Sequence, residues 1–97
     1  MKSLDELQRE IGEWGDATFP MSTIDSVMSH LSEEFVEFFD DWRNGRDEQE
    51  IEAADCLVLL MHYAHKNGFS LSDAVERKMS INRTRTWSTT PGIEVAE

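Results

Sequence analysis

Cysteine occurs once, as Cys56, which excludes an internal disulfide framework and a thiolate zinc cage and fits a reducing compartment. Proline occurs twice and glycine five times in 97 residues. No stretch alternates apolar and polar side chains, so the sequence does not predict a sheet. No apolar run approaches the roughly 18 residues that span a bilayer. The opening Met1-Lys2-Ser3-Leu4-Asp5 is too acidic for a signal peptide. Positive charge is scarce as well: nine Lys+Arg stand against 20 Asp+Glu, for a formal net charge of -11. That balance argues against a nucleic-acid backbone or an anionic membrane as the main partner. What remains is one acidic, cytoplasmic domain, whose 39% hydrophobic content is ordinary for a small globular fold.

The charge is unevenly placed. Ten of the 20 carboxylates lie between Glu33 and Asp55, and four of the nine cations, Arg77, Lys78, Arg83 and Arg85, fall within nine residues further on. A solvated surface would mix the signs more evenly. A cation-binding cluster followed by an anion-binding one suits a site for metal and phosphate together.

The apolar residues recur at helical spacing throughout. A capping box, Ser3-Leu4-Asp5-Glu6, opens a first helix from Ser3 to Gly15, with Leu4, Leu7, Ile11 and Trp14 on one side. Gly15 to Pro20 reads as a loop, with Phe19 held before a proline. Ser22 or Thr23 caps a second helix to about Asn44, whose stripe includes Ile24, Val27, Leu31, Phe35, Phe38 and Trp42. Asn44-Gly45 ends it. Asp47, with Glu50 three residues on, is the expected cap of a third helix through Lys66, apolar nearly all round and therefore central. After the stop at Asn67-Gly68, Ser70 or Ser72 caps a fourth helix carrying Leu71, Ala74, Val75, Met79 and Ile81. Ser88 to Glu97 holds Pro91 and Gly92 and lacks an apolar period, so it is expected to be a mobile tail. The expected architecture is an all-α bundle of four to five helices over residues 1–87. Its two long antiparallel helices span roughly 30 Å each. They carry more apolar surface than one short bundle hides, which predicts homo-oligomerisation; dimer and tetramer both stay open, with a tetramer (dimer of dimers) favoured.

Glu34 and Glu37 are three residues apart on the second helix, and Glu52 and Asp55 three apart on the third. Residues at that spacing share a face. In an antiparallel hairpin the two pairs can meet as four oxygen donors. Like charges at such distances need a counter-ion, and hard oxygen ligands select Mg²⁺ or Mn²⁺ rather than zinc. Spacing alone leaves two readings open: solvated helix faces, or a cation site. Apolar neighbours weigh for the second, because Asp55 beside the core stretch of the third helix calls for a partner for its charge.

The run His30-Leu31-Ser32-Glu33-Glu34-Phe35-Val36-Glu37, followed by Glu52-Ala53-Ala54-Asp55, resembles the E-E-x-x-E … E-x-x-D signature of the MazG-like all-α nucleoside triphosphate pyrophosphohydrolases. Lys78, Asn82 and Arg85 match the K-x-x-x-N-x-x-R part of that pattern, with Trp87 where such sequences often place an aromatic. The likeness covers about Ser22 to Trp87. The H-L-x-x-E form and the segment from Trp14 to Thr18-Phe19-Pro20 look most like the short phage and bacterial, MazZ-like subgroup acting on dATP and dGTP.

The resemblance implies hydrolysis of a purine deoxynucleoside triphosphate to the monophosphate and pyrophosphate, in the host cytoplasm if phage-encoded. It implies that Glu34, Glu37, Glu52 and Asp55 are catalytic and hold two or more Mg²⁺ or Mn²⁺ ions, with Glu33 as an extra ligand or base. Lys78, Asn82 and Arg85 would bind substrate, sharing one face if the last helix reaches that far. His30 lies on the same side as Glu34 and Glu37 and is a candidate for contacting phosphate. Trp14, Phe19 and Trp42 are candidates for stacking on a base. His62 and His65 have no matching partner in the pattern and read as packing or surface residues, and Cys56 reads as buried. Two competing readings are an acidic helical module that binds a partner or mimics DNA without catalysis, and a di-iron bundle. The second lacks the Glu-x-x-His pairs that such bundles use.

Overall fold

The computed structural model describes residues 1–89, 92, 94 and 95. Four helices dominate: α1 (Leu4–Thr18), α2 (Ile24–Arg43), α3 (Gln49–Asn67) and α4 (Leu71–Thr84). A short antiparallel ribbon follows, β1 (Thr86–Trp87) paired with β2 (Glu94–Val95). The all-α expectation holds apart from this two-residue pairing. Part of the expected mobile tail, at 90, 91, 93, 96 and 97, lies outside the described residues. Among the described residues, no helix is long and apolar enough to cross a membrane.

Local chemistry sets most helix ends. Ser3 Oγ accepts from Glu6 N, which is the Ser3 half of the expected box. Thr23 and Ser26 form a reciprocal box at the start of α2, so Thr23 and not Ser22 is the cap. Gly68, at φ 77, closes α3 in the left-handed conformation that glycine adopts without a steric penalty. Ser70 Oγ caps α4 through Asp73 N.

Two boundaries differ from those read in the sequence, and a third, the end of α4, answers a condition the sequence left open. Helix α1 runs on through Gly15 to Thr18, because both glycines on its inner face lie against α3. A Cβ on Gly12 would stand 2.1 Å from His65 Cγ, and one on Gly15 would stand 2.6 Å from His62 Cε1. Close packing there outweighs the poor helix propensity of glycine. Asp47 does not cap α3; the chain enters through Glu48 in the left-handed region, φ 69, with no side-chain cap bond. The link between two long antiparallel helices has to reverse within residues 44–48, and Gly45 and Glu48 both take positive φ to do it. Finally, α4 stops at Thr84, and Arg85 is extended at φ -91, ψ 151. Arg85 therefore leaves the helical face that carries Lys78 and Asn82.

Helix α3 is central, packing on α2 in a hairpin and on α1 across its other side. The core is small: Val27, Leu31, Cys56, Met61 and Ala64 are buried. Gln8, buried on α1, donates to Phe69 O at 2.8 Å and accepts from Leu71 N at 3.0 Å. Ser70 Oγ adds a 2.7 Å bond to Asp5. These contacts seat α4 mainly on α1. Much apolar surface stays open, including Phe39, Trp42 and Ile51 at 54%, 59% and 61% exposure, so α3 is not enclosed all round within one chain.

Candidate functional site

The hairpin brings Glu34 and Glu37 of α2 against Glu52 of α3. One carboxylate oxygen from each lies within 4.8 Å of the other two. The i, i+3 spacing aims both α2 side chains at α3, and Glu52 meets them one turn into its own helix. Glu37 is held above the usual carboxylate range, chiefly by the charge of Glu34 and then by burial. Glu52 is raised as well, by burial first and then by Asp41, Glu34, Asp55 and Glu37. One oxygen of Glu52, Oε2, is buried without a hydrogen-bond partner. Three converging carboxylates, with an orphaned oxygen and two of them, Glu37 and Glu52, pushed up, fit a divalent cation, which would satisfy the oxygen and remove the repulsion.

Asp55 does not belong to that mutual cluster. It is exposed and lines a cavity of about 560 Å³ beside Glu34. His30 lines the same cavity, its Nε2 3.2 Å from Glu34 Oε1. Away from the acidic end the walls are apolar, formed by Ile11, Trp14, Phe19, Pro20 and Met21 among others. Trp14 and Phe19 meet edge to face at 5.8 Å. The volume falls in the range of small-molecule pockets, roughly 300–1,000 Å³. Trp42 stands elsewhere, against Phe39 at 5.5 Å in a separate aromatic patch with Phe35 and Phe38. Of the three base-stacking candidates, Trp14 and Phe19 line this cavity and Trp42 does not.

The histidines of α3 pack against α1, within the packing-or-surface reading, and also make polar contacts that the sequence did not show. His62 is buried, lines the cavity, and sets Nε2 2.9 Å from Asp16 Oδ1. His65 Nε2 lies 3.6 Å from Asp16 Oδ2, and Lys66 Nζ lies 2.8 Å from Oδ1. Lys66 first and His62 second hold the Asp16 carboxyl down to about 2. Gly12, Gly15 and Asp16 of α1 thus face His62, His65 and Lys66 of α3, a pairing of distant segments that local spacing does not expose. Cys56 is buried as expected, and burial followed by the charges of Glu34, Asp55 and Glu52 pushes its thiol up, away from the reactive thiolate.

The cations are not gathered on the carboxylates by the main packing. Lys78 is exposed and makes no ion pair among the described residues. Asn82 places Nδ2 3.8 Å from Met79 Sδ, leaves its buried Oδ1 without a partner, and accepts from Trp87 Nε1 through its backbone oxygen at 2.8 Å.

A profile of the dATP/dGTP pyrophosphohydrolase family matches residues 7–96. The chain belongs to that family. Two phage proteins of the same description resemble it. The dATP/dGTP diphosphohydrolase of Cyanophage S-2L is 31% identical over 83 residues, 86% of this chain and 76% of that protein. The dATP/dGTP diphosphohydrolase of Salmonella phage PMBT28 is 34% identical over 85 residues, 88% of this chain. The chain spans only 28% of the length of that second relative. A solved structure superposes with a TM-score of 0.77 at 28% identity, covering 98% of this chain and 97% of the other. It is the Cyanophage S-2L MazG-like pyrophosphohydrolase bound to dGDP and three catalytic Mn²⁺ ions per active site.

Proposed function

We propose that the protein is a divalent-metal-dependent pyrophosphohydrolase that cleaves a purine deoxynucleoside triphosphate, dATP or dGTP, to the monophosphate and pyrophosphate. The observation that carries this reading is the convergence of Glu34, Glu37 and Glu52, with Glu34 also lining an apolar cavity, in a chain of this family. The protein has a net charge of -11 and cannot attract a triphosphate through its own side chains at that end. Bound there, Mg²⁺ or Mn²⁺ supplies the Lewis acid that offsets phosphate charge and makes water acidic enough to attack.

The chain's own residues do the rest. Glu34, Glu37 and Glu52 hold the ions, and Asp55, beside Glu34 on the cavity wall, serves as a fourth ligand. Glu33 is a further ligand or base. His30 fixes the Glu34 carboxylate and faces the phosphates. Trp14 and Phe19 flank the base, excluding water from its faces. The relation of the cyanophage structure to Mn²⁺ and dGDP supports both assignments.

Lys78, Asn82 and Arg85 contact phosphate oxygens, as point charge, amide and fork. Because α4 packs mainly on α1, we assign that contact to a second copy, with α4 of one protomer reaching the carboxylates of its partner. The exposed Phe39, Trp42 and Ile51 give such an assembly the apolar surface it needs, and a dimer of dimers uses both the hairpin and the α4 faces. The enzyme acts in the cytoplasm, that of the host where it is phage-encoded.

The test is a panel of eight nucleoside triphosphates with Mn²⁺ or Mg²⁺, with products separated. Monophosphate and pyrophosphate from dATP and dGTP are expected. Release of inorganic phosphate, or no turnover with either metal, contradicts the reading.

A further inference from the structure

Ser22, Ser26, His30 and Glu34 recur every four residues, and all four line the cavity. They form a track from the loop before α2 to the carboxylates, and Ile24 to Glu34 alone covers about 15 Å at 1.5 Å per residue. A nucleotide with its phosphates at the Glu34 end directs its base toward Ser22, among Trp14, Phe19 and Met21.

The polar atoms along this track differ in what they already do. Ser26 Oγ accepts from Thr23 N at 2.8 Å and donates to Thr23 O at 2.9 Å. His30 Nε2 faces Glu34, and His62 Nε2 faces Asp16. Ser22 is the exception. Thr23 takes the capping role, and Ser22 Oγ is buried with no hydrogen-bond partner. An unpaired buried hydroxyl is disfavoured and calls for a physical reason.

We propose that Ser22 reads the 6-position of the purine, its hydroxyl turning about Cα–Cβ into the cavity when the nucleotide enters. The proposal rests on the purine nucleotide reading above and adds to it the residue that sets base choice. A hydroxyl both donates and accepts. It can donate to the 6-oxo group of guanine and accept from the 6-amino group of adenine, with only a rotation of its proton between the two. A lysine could serve only guanine, and a carboxylate only adenine. One serine on the cavity wall, away from the carboxylates, therefore admits both purines on equal terms. A pyrimidine ring, being smaller, leaves the hydroxyl unpaired.

The experiment compares wild type with Ser22→Ala on dATP, dGTP and purine 2′-deoxyriboside triphosphate, which carries hydrogen at position 6. Wild type is expected to prefer dATP and dGTP over the unsubstituted analogue by about tenfold in kcat/KM, the worth of one hydrogen bond. Ser22→Ala is expected to lose that preference, falling about tenfold on dATP and dGTP and less than about twofold on the analogue. Equal losses on all three, or no loss on any, would overturn the proposal. Thermal unfolding separates a structural role: the variant removes an unpaired hydroxyl, so its Tm should match or exceed that of wild type, and a lower Tm would count against the proposal. Binding of the three corresponding diphosphates with Mn²⁺ keeps the two readings apart. The same selectivity pattern without turnover upholds Ser22 and overturns only the hydrolytic reading. No binding by wild type overturns both.

Discussion

Oδ1 of Asp16 lies 2.9 Å from Nε2 of His62, a residue only 4% exposed within α3. A carboxylate only accepts, so Nε2 carries the proton and the ring orientation is fixed. The pair ties the end of α1 to the cavity wall. It therefore holds Trp14 and Phe19, on either side of Asp16, at a set distance from the metal-binding carboxylates.

That relationship gives a pH-dependent expectation. Asp16 is held at about 2, against 3.8 when unperturbed, so its contribution is full above the unperturbed value and disappears as pH falls toward 2. Its side chain is 43% exposed, which reduces the gain through solvent screening. Asp16→Asn should cost about 1 kcal/mol at pH 7. The gap from wild type should close between about pH 4 and pH 2 in urea unfolding. An unchanged gap at acid pH would contradict the assignment.

Gly15 is the other half of the same contact. Its Cβ position lies 2.6 Å from the His62 ring, inside any allowed approach. Gly15→Ala gains helix propensity yet should destabilise by about 1–3 kcal/mol, since overpacking forces α1 away from α3. Chemical denaturation checks the sign. A more stable variant would show that α1 does not lie this close.

The carboxylate cluster carries opposite consequences for stability and activity. Burial and its acidic neighbours raise Glu52, so the metal-free fold is weakened at neutral pH and strengthened as pH falls through the raised value. Glu52→Gln should raise the metal-free Tm at pH 7, by an amount that shrinks in acid. It should also lower kcat by about a hundredfold or more with Mn²⁺, as expected for loss of a ligand. Activity lost together with Tm would point to misfolding instead.

If α4 of one copy serves the carboxylates of another, two inactive variants can repair each other. Glu52→Gln and Lys78→Ala, each impaired alone, should regain activity when unfolded together and refolded as a mixture, because some sites then combine intact halves. No recovery, in a mixture shown by light scattering to form hetero-oligomers, would place both residues in one chain's site.

Local patterns made the four helices and the Glu34, Glu37 and Glu52 cluster legible, because i, i+3 and i, i+4 spacing fixes a face without knowledge of the partner. The cap choice at Ser22 or Thr23 was open, since both hydroxyls suit that position, and only the structure gives it to Thr23. The Asp16–His62 contact joins residues 46 apart, so no helical period exposes it. Extension of α1 past Gly15 and the left-handed Glu48 were hidden for the same reason: both answer to how α1 and α2 meet α3, which overrides local propensity. Arg85 shares a motif with Lys78 and Asn82 but not their helix, because α4 stops one residue short of it.

Calorimetric titration of Mn²⁺ in the presence of dGDP tests the shared carboxylate site most directly. Wild type should take up Mn²⁺, Glu52→Gln should bind it at least about tenfold more weakly, and Glu13→Gln, on the exposed side of α1, should match wild type. Equal Mn²⁺ binding by all three proteins would contradict the account.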